Sequence, residues 1–157
     1  MSGNILVAVD ESKNSLRAVQ YVADTVRTDA QITLLSVLPD ATAACGLDGA
    51  SLSPLFKANR QAFCTIEDKK RVAIQDFISE ARDILIKTGF PSKNVRTRIR
   101  KKKSGIARDI LKEAGSGQYD TIVLGRKGLS GVKDFFMGSV PHKILNRAQK
   151  IAVILVN

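Results

Sequence analysis

The sequence predicts an α/β fold: a single doubly wound domain with a five-stranded parallel sheet and helices on both of its faces. Three observations carry this reading. Five short runs rich in β-branched and aliphatic residues alternate with four segments of helical period. Four of those runs are apolar almost without a break, as strands covered on both faces must be. The chain has 157 residues, enough for one domain that buries about two-thirds of its unfolded surface, and no linker divides it.

The elements follow in order. Asn4 to Asp10, NILVAVD, is an apolar run ending at a carboxylate. Ser12 then stands where a side-chain oxygen caps a helix, and Leu16, Val19, Val22, Ala23 and Val26 keep the 3.6-residue period. Gln31 to Leu38, QITLLSVL, is a second buried strand. Strand, helix and strand over this length form a βαβ unit, parallel and right-handed.

From Pro39 to about Thr65 the periodicity lapses, and residues 39–65 read as a long, mobile loop over the carboxyl end of strand two. Ile66 to Thr88 reads as an amphipathic helix with Ala73, Phe77, Ile78, Ala81, Ile84 and Leu85 inward. Gly89 is placed to end it, and Pro91 prevents continuation. Asn94 to Arg100, NVRTRIR, alternates: Val95, Thr97 and Ile99 face one way, and Arg96, Arg98 and Arg100 the other. That is a one-sided edge strand, whose positive charge discourages edge-to-edge pairing. Gly105 precedes a shorter helix, Ile106 to Ala114, which Gly115 and Gly117 end. A strand at Thr121 to Leu124, a helix from Val140 to about Ala148 and a last strand, Ile151 to Val156, complete the alternation.

Bulk properties exclude more than they assign. No uncharged apolar run approaches the roughly 18 residues of a membrane span. The first strand begins near Asn4, leaving a cleavable signal peptide no room. Two cysteines without a secretory signal do not make a disulfide framework, so a cytoplasmic protein with free thiols at Cys45 and Cys64 is expected. The formal charge of +10 invites phosphate-bearing partners. Aromatics at 5%, with no tryptophan, argue against stacking platforms for single strands.

The stretch with the most chemistry runs from Tyr119 to Val140. A buried strand breaks at Gly125, glycines follow at Gly128, Gly131 and Gly138, and Ser139 stands at the start of a helix. This order exposes backbone N–H groups at a helix N-terminus, where anions bind. Glycine lets the backbone take positive φ and approach a phosphate closely. Arg126 and Lys127 either supply counter-charge or are solvated. The P-loop spacing fails, because counting from Gly125 places Ser130 and Gly131 where Gly and Lys are needed. The dinucleotide fingerprint also fails, since Asp10, Glu11 and Ser12 follow the first strand. In a sheet of order 3-2-1-4-5 the crevice opens between strands 1 and 4. There Asp10 and Gly125 would become neighbours, the carboxylate close to a sugar or a bound metal.

With these residues in hand, the chain resembles the universal stress protein (UspA-like) family over essentially its whole length. The nucleotide signature of that family is Gly, two residues, Gly, nine residues, Gly, then Ser or Thr. It stands complete here as Gly125, Gly128, Gly138 and Ser139, and ILVAVDES and GLSGVKDFFMGSV also look like family sequence. The resemblance implies strand order 3-2-1-4-5 and an ATP-binding member, with ATP as cofactor together with Mg2+ or another divalent metal. It implies that Ala8, Val9 and Asp10 line the adenosine and that Val37 reads the adenine edge through its backbone. Leu124, Gly125 and Gly128 would follow the ribose and phosphates, and Gly138, Ser139 and Val140 would hold the phosphates. It also implies a homodimer through antiparallel pairing of the terminal strands, 151–156. Pro141 departs from an ideal phosphate-binding turn, for it removes one N–H donor.

Other features read more plainly. No Ser/His/Asp set, paired carboxylates or metal cluster is legible from spacing, and His142 has no ligand-like neighbours, so catalysis extends at most to slow ATP hydrolysis. The run from Arg96 to Lys103 reads as a solvated edge. The alternative function is an interaction module with a vestigial pocket, whose basic edge binds nucleic acid or another polyanion.

Overall fold

The computed structural model describes residues 3–39, 54–128 and 137–157. Cys45, Gly131 and most of the link after Pro39 lie outside the described residues. Five parallel strands form one sheet: β1 Asn4–Ala8, β2 Gln31–Leu38, β3 Val95–Lys101, β4 Thr121–Gly125 and β5 Ala152–Val156. Their order is β3-β2-β1-β4-β5, as the resemblance implied. The register pairs Val7 with Leu34 and Val123 across the centre.

Four helices connect the strands: α1 Lys13–Thr25, α2 Pro54–Lys87, α3 Ile106–Ser116 and α4 Ser139–Arg147. Strand alternation decides which side chains meet which helix. Ile5, Val7, Val9, Ile32 and Leu34 point to one face, where Val19 and Val22 of α1 and Ile74, Ile78, Ala81 and Leu85 of α2 cover them. Leu6, Ala8, Leu35, Val37, Ile122 and Leu124 point to the other, beneath Ala107, Ile110 and Ala114 of α3 and Ile144 of α4. Each fully buried aliphatic side chain contributes about 1.5–3 kcal/mol, so the two half-cores together hold the sheet between its helices.

Helix ends behave as their chemistry requires. The Ser12 hydroxyl accepts from the Ser15 N–H at 3.2 Å. Gly89 takes φ of 107°. The Gly89 N–H then donates to the Ile86 carbonyl and the Phe90 N–H to the Leu85 carbonyl, the paired bonds of a Schellman ending.

Three expectations need correction. The helix read from Ile66 starts at Pro54, so residues 54–65 of the supposed loop are helical. Proline at a first helical position is well tolerated, because its missing N–H would lack an intrahelical partner. Ala73 is exposed and Ile74 is buried in its place, while Phe77, Ile78, Ala81, Ile84 and Leu85 pack inward as read. Beyond Val95, β3 is exposed on both faces, whereas one covered face was expected. As the outer strand it has a neighbour on one side only, and its Arg98 and Arg100 meet α3 through Glu113 rather than through apolar packing.

Candidate functional site: a cleft at the carboxyl ends of β1, β2 and β4

The chain reverses its direction of travel between β1 and β4, since α1 and α2 pack on one face and α3 and α4 on the other. The loops after these strands therefore diverge and leave a crevice at the carboxyl ends. A cavity of about 420 Å³ opens there, within the roughly 300–1,000 Å³ of small-molecule sites. Its lining draws on Ala8, Val9 and Asp10 after β1, Val37 in β2, and Leu124, Gly125, Lys127 and Gly128 after β4. Gly138, Ser139 and Val140 at the start of α4 close the other side. Residues more than 100 positions apart thus share one wall, as the topology argument anticipated. Of the expected site residues, Arg126 alone is not in the lining.

Asp10 is fixed by its neighbours. Its Oδ1 accepts from the Ser12 N–H at 3.0 Å and from the Ser15 hydroxyl at 2.7 Å. The same Ser15 oxygen accepts from the Asp10 N–H at 2.9 Å. Both side-chain bonds use one carboxylate oxygen, and the other, Oδ2, faces Gly128. A loop carboxylate held in this way is preorganised rather than free to swing.

Two of the signature glycines, Gly125 and Gly128, leave no room for a Cβ. Among the described residues, only Gly89 and Gly105 are glycines with positive φ, so the expected left-handed turn does not explain Gly125, Gly128 or Gly138. A Cβ on Gly125 would lie 2.8 Å from the Asn14 carbonyl carbon, because the first turn of α1 presses on the end of β4. Gly138 serves as N-cap of α4 with φ of −60°. Its N–H donates to the Arg126 carbonyl at 3.0 Å, which ties the start of α4 to the end of β4.

The first intrahelical bond of α4 runs from the His142 N–H to the Gly138 carbonyl. The N–H groups of Ser139 and Val140 precede it, and Pro141, buried in the cleft wall, contributes none. The helix start therefore presents two backbone donors and one exposed hydroxyl toward the cleft.

Several lining residues were not read from the sequence. Glu11, Ser15, Ser36 and Pro39 flank the strand ends, and Lys70 comes from α2. Only the three-dimensional path of α2 brings Lys70 there, and no local signal announces it. Among the described residues, no group of three or more His, Cys, Asp or Glu side chains could hold a metal ion. A divalent cation at this site would rest on Asp10 and the phosphates of a ligand, the usual arrangement for Mg2+.

The model of the universal stress protein family matches residues 1–157. The chain belongs to this family. Solved universal stress proteins share its fold. That of UspA from Lactobacillus plantarum superimposes with a TM-score of 0.76 at 23% identity, over 99% of this chain and 98% of the other. A universal stress protein from Archaeoglobus fulgidus, solved in complex with dAMP, gives 0.65 at 19% identity over 100% of both chains. Another, solved in complex with cAMP, gives 0.65 at 20% identity over 100% of this chain and 99% of that one. Among the described residues of the present family member, no helix is long and apolar enough to cross a membrane.

Proposed function

We propose that this universal stress protein binds ATP in the cleft between β1 and β4 and acts as a nucleotide-responsive regulator of the stress response. One observation carries the reading: the four signature positions and the ends of β1 and β2 line a single cavity of about 420 Å³. The complexes of relatives with dAMP and cAMP support an adenine nucleotide as the ligand class. Ala8, Val9 and Val37 form the apolar wall for the base, with the Val37 backbone at its edge. Gly125 and Gly128 let the backbone approach the sugar and phosphates without a Cβ between. Ser139, the two free N–H groups of α4 and the Lys127 ammonium provide the anion site.

Asp10 would hold a divalent cation against the phosphates. The cation would neutralise phosphate charge and fix the chain of phosphates in one geometry. Turnover, if any, is slow in this reading, and the nucleotide sets conformation or assembly. Pairing of β5 with its copy in a second chain completes the proposed homodimer. β5 is half-buried at best along its length, which leaves apolar edge for a partner to cover.

The test is direct. Purified protein is denatured and the supernatant is examined for adenine nucleotide, and the melting temperature of stripped protein is followed as ATP is added. Released nucleotide or an ATP-dependent rise supports the site. A protein that carries no adenine absorbance and melts identically at every ATP concentration rules it out.

A further inference from the structure

We propose that the β3 edge and the loop after it form a second binding surface, which holds duplex nucleic acid through its phosphate backbone, independently of the nucleotide cleft. Residues 96–113 contain eight Lys or Arg and two carboxylates, a net +6 of the +10 carried by the whole chain. Arg96, Arg98 and Arg100 alternate along the exposed outer strand, and Lys101, Lys102 and Lys103 continue from its end. Arg108 and Lys112 stand one turn apart on α3 and are exposed.

The two carboxylates do not neutralise the outward face, because each is turned to a structural task. Glu113 is buried, only 5% exposed. It is held by Arg98, and its Oε2 lies 2.9 Å from Arg100. Asp109 accepts from the backbone N–H groups of Lys103 at 2.7 Å and Ser104 at 3.1 Å, which folds the basic loop back on the start of α3. Glu113 thus lies beneath the arginines, and Asp109, nearer the surface, is engaged by backbone donors. Arg98 and Arg100 remain 41% and 51% exposed despite their shared partner. A guanidinium has five N–H donors in a rigid fork. Two of these forks, ordered in advance by one buried carboxylate, keep outward donors for phosphate oxygens at reduced entropic cost.

The dimensions suit a duplex. The seven residues of β3 span about 23 Å at roughly 3.3 Å each. A duplex carries one charge per about 1.7 Å of its axis, so about 13 phosphate charges run along that length. Alternate residues on one strand face are about 6.6 Å apart, on the scale of successive phosphates along one backbone. No aromatic residue lies between 96 and 113, so the stacking that single strands need is missing. A membrane surface would need an apolar anchor. The large apolar side chain exposed on this edge, Ile99, is only 36% accessible.

The test uses the intact protein and a labelled 30-base-pair duplex of arbitrary sequence, followed by fluorescence anisotropy at several salt concentrations. Contacts to about five phosphates would give a logarithmic salt slope near −4.5, a fall of about 500-fold between 50 and 200 mM. In a variant with Arg96→Ala, Lys101→Ala and Lys103→Ala, which spares the Glu113 pairs, the slope should drop by about 2.7 with an unchanged melting temperature. A control variant, Arg17→Ala, Lys87→Ala and Lys143→Ala, removes equal charge from exposed positions on α1, α2 and α4 and should keep the wild-type slope. The proposal is overturned by absent binding at 50 mM salt, by equal losses in both variants, or by binding to phosphatidylserine vesicles or polyglutamate in preference to the duplex.

Discussion

Gly128 and Asp10 face each other so closely that a Cβ on the glycine would stand 2.7 Å from Oδ2 of the carboxylate. Asp10 cannot easily move aside, since Oδ1 is held by the Ser12 N–H and the Ser15 hydroxyl. Each of those bonds contributes about 1 kcal/mol. Gly128→Ala should therefore displace Asp10 at modest cost to the fold, a melting change of about 2–4 °C. ATP affinity should fall at least about tenfold, or 1.4 kcal/mol. Calorimetric titration beside a thermal melt separates the two effects.

Gly125 makes a contrasting case, because its neighbour is backbone. The Asn14 carbonyl carbon and oxygen lie 2.8 and 2.9 Å from where its Cβ would be, and a helix turn does not yield as a side chain does. Gly125→Ala should destabilise by about 1–3 kcal/mol, the usual range for overpacking. Gly115, inside α3, meets nothing within 4 Å. Gly115→Ala should stabilise by about 0.4–1 kcal/mol by restricting the unfolded chain. Denaturant midpoints of the two variants should move in opposite directions.

Asp109 gives the fold a pH-dependent element. Burial, the largest single influence, raises its pKa. The backbone N–H groups of Lys103, Ser104 and Gly105, with the Lys112 ammonium, outweigh burial and hold the carboxyl below its ordinary value. A folded-state pKa below the unfolded one means stabilisation above about pH 4, lost as pH falls through the lowered value. Asp109→Asn keeps an acceptor oxygen and removes only a solvent-screened charge, so it should destabilise slightly at pH 7, by about 0.5 kcal/mol or less. The gap to wild type should close in melts below pH 4.

Glu113 ties α3 to the outer strand. Glu113→Ala leaves Arg98 and Arg100 without their shared acceptor and opens space beneath them, which should cost about 1–3 kcal/mol. The loss is moderate because both guanidinia reach water. Hydrogen exchange should show β3 amides opening sooner in the variant while those of β1 are unchanged.

The parts of the site that sequence reading located are those fixed by strand ends and by spacing. Asp10 closes an apolar run, and Gly125, Gly128, Gly138 and Ser139 hold a fixed interval, so both halves were visible before the sheet was. Lys70 and Ser36 were invisible, because only the packing of α2 and the depth of β2 bring them to the cavity. The start of α2 was missed because Pro54 reads as punctuation, although proline opens helices as readily as it breaks them. Ala73 was chosen over Ile74 since both lie near the edge of one apolar stripe. The arginines of β3 read as solvated because their partner Glu113 sits on the next helix, a pairing that alternation along a strand does not reveal. The glycines do line the cavity, but close approach of Asn14 to Gly125 and of Asp10 to Gly128, rather than positive φ, excludes a side chain there.

The central claim is that the cleft binds ATP through Gly125, Gly128, Gly138 and Ser139. Isothermal titration of nucleotide-stripped protein with ATP in the presence of Mg2+ tests it most directly, alongside a Gly138→Val, Ser139→Val variant whose folding is checked by its melting curve. The account predicts saturable heat with one site per chain for the wild type and at least a tenfold weaker isotherm for the variant. Absence of heat from a folded wild type at millimolar ATP, or equal isotherms from the two proteins, would contradict it.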